Sequence, residues 1–151
     1  MEVNLDLDVN KEEFFEFIYE SIIKDIEEST GKKLSKEDII QSYKYDKNLK
    51  NKLGRAGNVE VTILEFVPYK KYVAEFKSNQ GKNIISYEIN NLNNEKINVT
   101  YFEDYIAPDK LKDWNFKLMN FFYKKKSMKR AESILKNIER YIKNKKEEMY
   151  I

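Results

Sequence analysis

Aromatic side chains within predicted strands are the residues of this chain best suited to binding chemistry. The sequence holds eleven Tyr, nine Phe and one Trp. Apolar rings form a wall for a hydrophobic ligand, and Tyr hydroxyls fix its orientation by hydrogen bonding. The residues that we predict to line such a cavity are Tyr43, Tyr45, Tyr72, Phe76, Tyr87, Tyr101, Trp114 and Phe121. The alternatives are a solid core made of the same rings, or rings at the rim whose hydroxyls lie in water.

Carboxylates inside strands are the candidates for acid–base chemistry. Glu65, Glu75 and Glu88 each lie within a predicted strand. A carboxyl group that points into an apolar cavity has its pKa raised by desolvation and becomes a candidate base. Adjacent acidic residues are instead expected on solvated edges, and these pairs are Glu12/Glu13, Glu27/Glu28, Glu103/Asp104 and Glu147/Glu148. We assign no catalytic residue from the sequence.

Two residue types are absent from the chain, which contains no His and no Cys. Their absence excludes Ser-His-Asp and Cys-His nucleophile systems, disulfides and the usual zinc ligands. We therefore predict no metal site and no cofactor. The 28 basic and 26 acidic residues give a net charge of only +2. Nucleic-acid-binding proteins usually show a clear basic excess, so we predict no nucleic-acid partner.

One local excess of positive charge lies near the C-terminus, at Lys124, Lys125, Lys126, Lys129 and Arg130. Such a run could bind a phosphate, an anionic lipid head group or RNA. It lacks the aromatic platform on which single-stranded nucleic acids stack their bases. We therefore favour a solvated helix face whose Lys stems cover apolar surface.

Hydrophobic periodicity predicts one strand, a helix, a short helix, five strands and a long helix, in that order. The first strand alternates from Val3 to Val9, and the first helix begins after the N-cap Asn10 and ends at Gly31. The later predicted strands are 41–47, 59–67, 70–78, 82–90 and 95–105. Residues 48–58 contain Asn51, Gly54 and Gly57 and are predicted to form a mobile loop.

The C-terminal segment carries two apolar stripes. The first consists of Leu111, Trp114, Leu118, Phe121 and Phe122, and the second of Met128, Ala131, Leu135, Ile138 and Ile142. On an ideal helix the two stripes are offset by roughly a third of a turn. We therefore predict a bend, bulge or short break near Lys124. The second stripe is predicted to face the sheet, and the first to form one end of the cavity.

This order of elements resembles the helix-grip fold of START-like lipid-transfer domains, pollen-allergen-like proteins and polyketide cyclase-like proteins. The aromatic and basic run 121–126, followed by Arg130 and Leu135, is similar to that of bacterial cyclase-like members. The whole chain resembles an uncharacterised family of low-GC Gram-positive bacteria within this superfamily. The resemblance implies one α+β domain over residues 1–151. Its curved antiparallel sheet of about six strands would wrap around a long C-terminal helix and enclose a cavity.

The leading functional hypothesis is non-catalytic binding of a hydrophobic or amphipathic small molecule between the sheet and the C-terminal helix. One alternative is a cyclase- or hydrolase-type enzyme that uses a buried carboxylate and Tyr hydroxyls. Another is an interaction or regulatory protein that uses the basic C-terminal helix. The chain lacks a secretory signal pattern and a run of the roughly 18 apolar residues that a membrane span needs, so we expect a cytoplasmic protein.

Overall fold

The sequence folds into the predicted order of elements. The computed structural model describes residues 1–50, 56–107 and 114–149, and describes side chains for 1–48, 57–107 and 127–149. The strands are β1 Glu2–Leu7, β2 Lys44–Lys50, β3 Ala56–Val67, β4 Lys71–Ser78, β5 Gly81–Asn93 and β6 Lys96–Ile106. The helices are α1 Lys11–Thr30, a single 3-10 turn at Lys36–Asp38, and α2 Trp114–Glu148.

The six strands form one sheet in the order β1-β6-β5-β4-β3-β2. Each neighbouring pair is antiparallel. Strands β2 to β6 follow one another as a meander because short turns favour antiparallel pairing of neighbours. The first strand, β1, pairs with the last strand, β6, and lies at one edge of the sheet.

Local signals at both ends of α1 explain where this helix begins and ends. The side chain of Asn10 accepts a hydrogen bond from the backbone N–H of Glu13 at 2.8 Å. The Glu13 side chain accepts the N–H of Asn10 in return, which completes the predicted capping box. Gly31 ends the helix with φ +77°, a conformation that costs little only without a Cβ. The buried stripe of α1 is Phe14, Phe15, Ile18, Ile22 and Ile26.

Helix α2 is one continuous α-helix that runs through Lys124. Of the predicted bend, bulge or short break near Lys124, the bulge and the break are therefore wrong. In the part with described side chains, the buried stripe consists of Ser127, Ala131, Leu135, Ile138 and Ile142. Met128 was predicted to belong to it but is 43% exposed. At about 100° per residue Ser127 lies nearer the centre of the stripe than Met128, so geometry outweighs hydrophobicity at this turn.

The predicted loop at residues 48–58 is shorter than expected. Strand pairing continues to Lys50 on β2 and resumes at Ala56 on β3. The pairing of β2 with β3 is made by backbone hydrogen bonds, so the polar side chains that suggested a loop do not prevent it. Residues 51–55 of the predicted loop lie outside the described residues. The strand predicted at 41–47 also begins later than expected, because β2 starts only at Lys44, after Ser42 adopts φ +74°.

Candidate ligand-binding face of the sheet

The strand register brings five of the eight predicted aromatic residues onto one face of the sheet. Tyr72 lies directly opposite Tyr87, and Tyr87 lies directly opposite Tyr101. Opposed residues share a face, as do residues two or four apart on one strand. Phe76 therefore lies on the same face, and Tyr45 joins it because both are in register with Val61. We call this the inner face.

Helix α1 packs on the inner face. The Phe14 ring lies 6.1 Å from the Tyr87 ring, and the Phe15 ring lies 5.8 Å from the Phe66 ring. A β-bulge between Ile63 and Glu65 changes the alternation of β3, so that both Ile63 and Phe66 point inward. The inner face is therefore the side of the sheet that holds the core.

Four rings form a continuous row across β3, β4, β5 and β6. The Phe66 and Tyr72 centroids are 6.0 Å apart, and the Tyr72 and Tyr87 rings stack at 6.3 Å with an angle of 14°. The Tyr87 and Tyr101 rings meet edge to face at 5.0 Å. Each such pair contributes about 0.5–1.5 kcal/mol beyond the burial of its area. The row forms a rigid aromatic wall.

Several residues of the inner face are only half-buried although they lie on the central strands. Phe76 on β4 and both Ile85 and Tyr87 on β5 are of this kind. Tyr72 and Ala74, which are their neighbours on the same face, are buried. A solid core would bury these central positions completely. Among the residues whose side chains are described, the inner face therefore keeps partly accessible apolar surface between buried parts of the core.

A carboxylate that was not among the predicted candidates lies on the inner face. Glu103 follows Tyr101 by two residues on β6, and its side chain is 8% exposed. The Tyr101 hydroxyl donates to its Oε2 and the Asn83 amide to its Oε1, both at 3.2 Å. Arg130 of α2 donates to both oxygens at 3.2 Å. This cluster joins the last helix to the inner face of the sheet.

The expectation that the pair Glu103/Asp104 is solvated is thus wrong for Glu103, whereas Asp104 is exposed. The alternation on β6 contained the signal. Every second residue of this strand points to the same face. The buried set on that face therefore includes the carboxylate, and it consists of Ile97, Val99, Tyr101 and Glu103. The pattern was missed because Glu103 was treated only as one half of the pair Glu103/Asp104.

The three predicted carboxylates lie on the opposite, outer face. Each of them is adjacent along its strand to an inner-face aromatic residue, and alternation then directs it outward. Glu65 pairs with Lys71 at 3.3 Å, and Glu75 lies 4.0 Å from Lys82. Glu88 is exposed. The hypothesis that Glu65, Glu75 or Glu88 points into the cavity is wrong.

A second polar group joins α1 to β2. The Tyr45 hydroxyl donates to the carboxylate of Asp25, and Lys47 Nζ lies 2.8 Å from Asp25 Oδ1. Burial, followed by the bond to Asp25, raises the pKa of Tyr45. The Tyr43 ring lies 6.3 Å from the Tyr45 ring and is half-buried. Asp25 was missed because a single acidic residue beside the apolar stripe of a helix gives no distinctive pattern.

Two predicted cavity residues, Trp114 and Phe121, lie outside the residues whose side chains are described, as do Lys124, Lys125 and Lys126 of the basic run. Lys129 is exposed. Arg130, the last member of the run, is engaged by Glu103. Both members of the run with described side chains are therefore exposed, and Arg130 also links the run to the sheet.

The Glu103 cluster positions groups rather than offering a free base. Each carboxylate oxygen accepts two hydrogen bonds, one from Arg130 and one from Asn83 or Tyr101. A carboxylate oxygen has about two lone-pair directions, so neither oxygen has one left for a substrate proton. The cluster can instead orient the Tyr101 hydroxyl and the Asn83 amide towards a bound molecule.

Replacing Tyr72 by Phe is expected to protect the protein at alkaline pH. Burial raises the pKa of Tyr72 from its ordinary 10.0, and burial raises the pKa of Tyr87 to about 12. A folded-state pKa above the unfolded value gives stability that is complete below about pH 10 and is lost as pH rises through the folded pKa. Urea unfolding should show little change for Tyr72→Phe at neutral pH and a smaller stability loss than wild type at about pH 11.

The neutral-pH part of this expectation follows from the contacts of the hydroxyl. Tyr72 Oη has no hydrogen-bond partner among the residues whose side chains are described, so its removal leaves none of them unpaired. If wild type and Tyr72→Phe lost the same free energy of unfolding between neutral pH and about pH 11, the assignment of Tyr72 to the buried inner face would be contradicted.

The part of the chain that the structure describes contains no helix that is both long and apolar enough to cross a membrane.

The sequence matches the family model described as a domain of unknown function, DUF3284, over residues 1–124. No curated protein sequence matches the chain. The match covers β1 to β6, both helical elements between them and the first part of α2.

Solved structures of similar fold come from distant proteins. A protein of unknown function from Staphylococcus aureus aligns with TM-score 0.62 at 9% identity, over 98% of this chain and 96% of its own. A START superfamily protein from Mycobacterium smegmatis aligns with TM-score 0.61 at 10% identity, over 95% and 97%. Ara h 8.0201 aligns with TM-score 0.58 at 10% identity, over 95% and 97%. At these identities the likeness concerns the fold, and it confirms the predicted α+β helix-grip architecture.

Proposed function

This chain belongs to the DUF3284 family, and from its helix-grip fold we propose that it binds a hydrophobic or amphipathic small molecule on the inner face of its sheet. The observation that carries the proposal is the accessible apolar surface at Phe76, Ile85 and Tyr87, on central strands where a solid core would leave none. Ligand binding is favourable when it removes apolar surface of this kind from water.

The aromatic row gives the proposed site its shape. The Phe66, Tyr72, Tyr87 and Tyr101 rings hold one another at 5.0–6.3 Å, so the wall is formed before a ligand arrives. A preformed wall reduces the entropy that binding must overcome. Rings with hydroxyls suit a ligand that is mostly apolar and carries a few polar groups.

We propose no catalytic step for this site. The carboxylates that the enzyme hypothesis named lie on the outer face, and Glu103 already accepts a full set of hydrogen bonds. The hypothesis of an interaction protein that uses the basic helix is not favoured either, because Arg130 of that run pairs with Glu103.

Binding of Nile red, an uncharged hydrophobic dye, tests the proposal. We expect wild-type protein to bind the dye with enhanced fluorescence, and Phe76→Asp to weaken binding about tenfold or more, because a buried ring contributes roughly 1.5–3 kcal/mol. Phe102→Asp is the matched control. Phe102 lies on β6 with its ring on the outer face and is 38% exposed, so its replacement should leave dye affinity unchanged.

Circular dichroism of both variants establishes that they remain folded. Equal dye affinity in the Phe76 and Phe102 variants, or no dye binding by wild type, would count against a site on the inner face. Native mass spectrometry of the purified protein would then show whether a small molecule accompanies it.

A further inference from the structure

One polar atom on the inner face is buried without a partner. Asn83 lies on β5 between Phe76 of β4 and Tyr105 of β6, in register with both. Its Oδ1 has no hydrogen-bond partner within the described part of the chain. Buried carbonyl oxygens are nearly always hydrogen-bonded in folded proteins, so an unpaired one requires an explanation.

The orientation of this amide is determined by its neighbour. Asn83 Nδ2 donates to Glu103 Oε1 at 3.2 Å. A carboxylate has only acceptors, so the amide nitrogen must face Glu103 and the oxygen must face the other way. Rotating the amide by half a turn would bring two oxygens together. The unpaired acceptor is therefore a consequence of the Glu103 cluster.

We propose that Asn83 Oδ1 accepts a hydrogen bond from the polar end of the bound ligand, which is a neutral donor such as a hydroxyl or an amide N–H. This inference rests on the proposed function, since it names the class of molecule that the inner face binds. The ligand would be amphipathic, with its apolar part against the aromatic row and its donor at Asn83.

The same cluster disfavours a ligand that ends in a carboxylate. Such a head group brings only lone pairs at neutral pH, so it cannot satisfy Asn83 Oδ1. The carboxylate of Glu103, which is bonded to the same Asn83 side chain, adds a like charge nearby. Arg130 offsets this charge but directs its guanidinium at Glu103.

Displacement of Nile red by two ligands with the same alkyl chain, dodecanol and dodecanoate, tests the proposal. We expect wild-type protein to bind dodecanol about tenfold more tightly than dodecanoate. Asn83→Leu removes the acceptor, so its preference for the alcohol should fall to roughly twofold or less. Nile red has no hydrogen-bond donor, so it serves as the displaced probe without itself using the Asn83 acceptor.

Asn90→Leu is the control, because Asn90 is exposed on the same strand. It should keep the full preference for dodecanol. Thermal unfolding of the ligand-free proteins adds a second readout. Asn83→Leu should shift the unfolding temperature only slightly, because loss of the Asn83 donor to Glu103 offsets removal of the unpaired acceptor.

The outcomes separate this inference from the function on which it rests. Nile red binding with equal displacement by alcohol and carboxylate would overturn the role of Asn83 and leave hydrophobic binding intact. Absence of dye binding would overturn both. The ratio measured on wild type tests the inference even if the Leu variant fails to fold.

Discussion

Glu103→Gln is expected to lower the free energy of unfolding by about 2 kcal/mol. Glutamine has nearly the same shape as glutamate, but one oxygen becomes an NH2 group that faces the donors of Arg130 and of Asn83 or Tyr101. Most of this loss of unfolding free energy arises at the donors on the sheet, Asn83 and Tyr101, and less of it at Arg130. Arg130 is 55% exposed, so water replaces part of what it loses.

Urea denaturation at neutral pH measures this change. Asp104→Asn is a matched control, because Asp104 is the next residue on β6 but lies exposed on the outer face. We expect that control to shift the free energy of unfolding by less than about 0.5 kcal/mol. Similar shifts in the two variants would mean that the Glu103 cluster does not join α2 to the sheet.

Leu135→Ala is expected to destabilise the protein by about 3 kcal/mol, within the 2–5 kcal/mol typical of such core truncations. Leu135 is 0% exposed and lies at the middle of the buried stripe of α2, between Ala131 and Ile138. Its replacement removes apolar area and leaves a cavity that neighbouring side chains fill only in part.

Urea denaturation again provides the measurement, with an unchanged m-value showing that the unfolded state is the same. Ser133→Ala on the exposed side of α2 is the control. Alanine favours helix formation, so this variant should be unchanged or slightly more stable. A loss below about 1 kcal/mol in Leu135→Ala would be inconsistent with the helix packing on the inner face.

The fold was predictable because its signals are local and repeat along the chain. The capping box of Asn10 and Glu13, the stop at Gly31 and the period of two in β1 and β6 each depend on neighbouring residues. The helix-grip resemblance then supplied the arrangement of these elements. The predicted break in α2 is wrong because the backbone hydrogen bonds of a helix do not depend on which side its apolar residues face, so an offset between two stripes need not interrupt it.

The candidate site was predictable in part. Six aromatic residues on predicted strands were named as cavity candidates, and the register places Tyr72, Tyr87 and Tyr101 of this set in direct opposition on the inner face. The buried carboxylate, Glu103, was not among the three candidates, because alternation determines which residues share a face without determining which face is inner. A single β-bulge in β3 also changes which residues point inward, so that Ile63 and Phe66 share the inner face although they are three positions apart.

The sequence alone determined the order of the elements, the ends of α1 and the exclusion of His- and Cys-dependent chemistry, because these follow from residue types and short-range spacing. Only the tertiary structure decided which carboxylate is buried and which polar atom lacks a partner. Glu103 and Arg130 are 27 residues apart, and Asn83 reaches Glu103 from another strand. Contacts of this range depend on strand register and helix placement, which sequence periodicity does not specify.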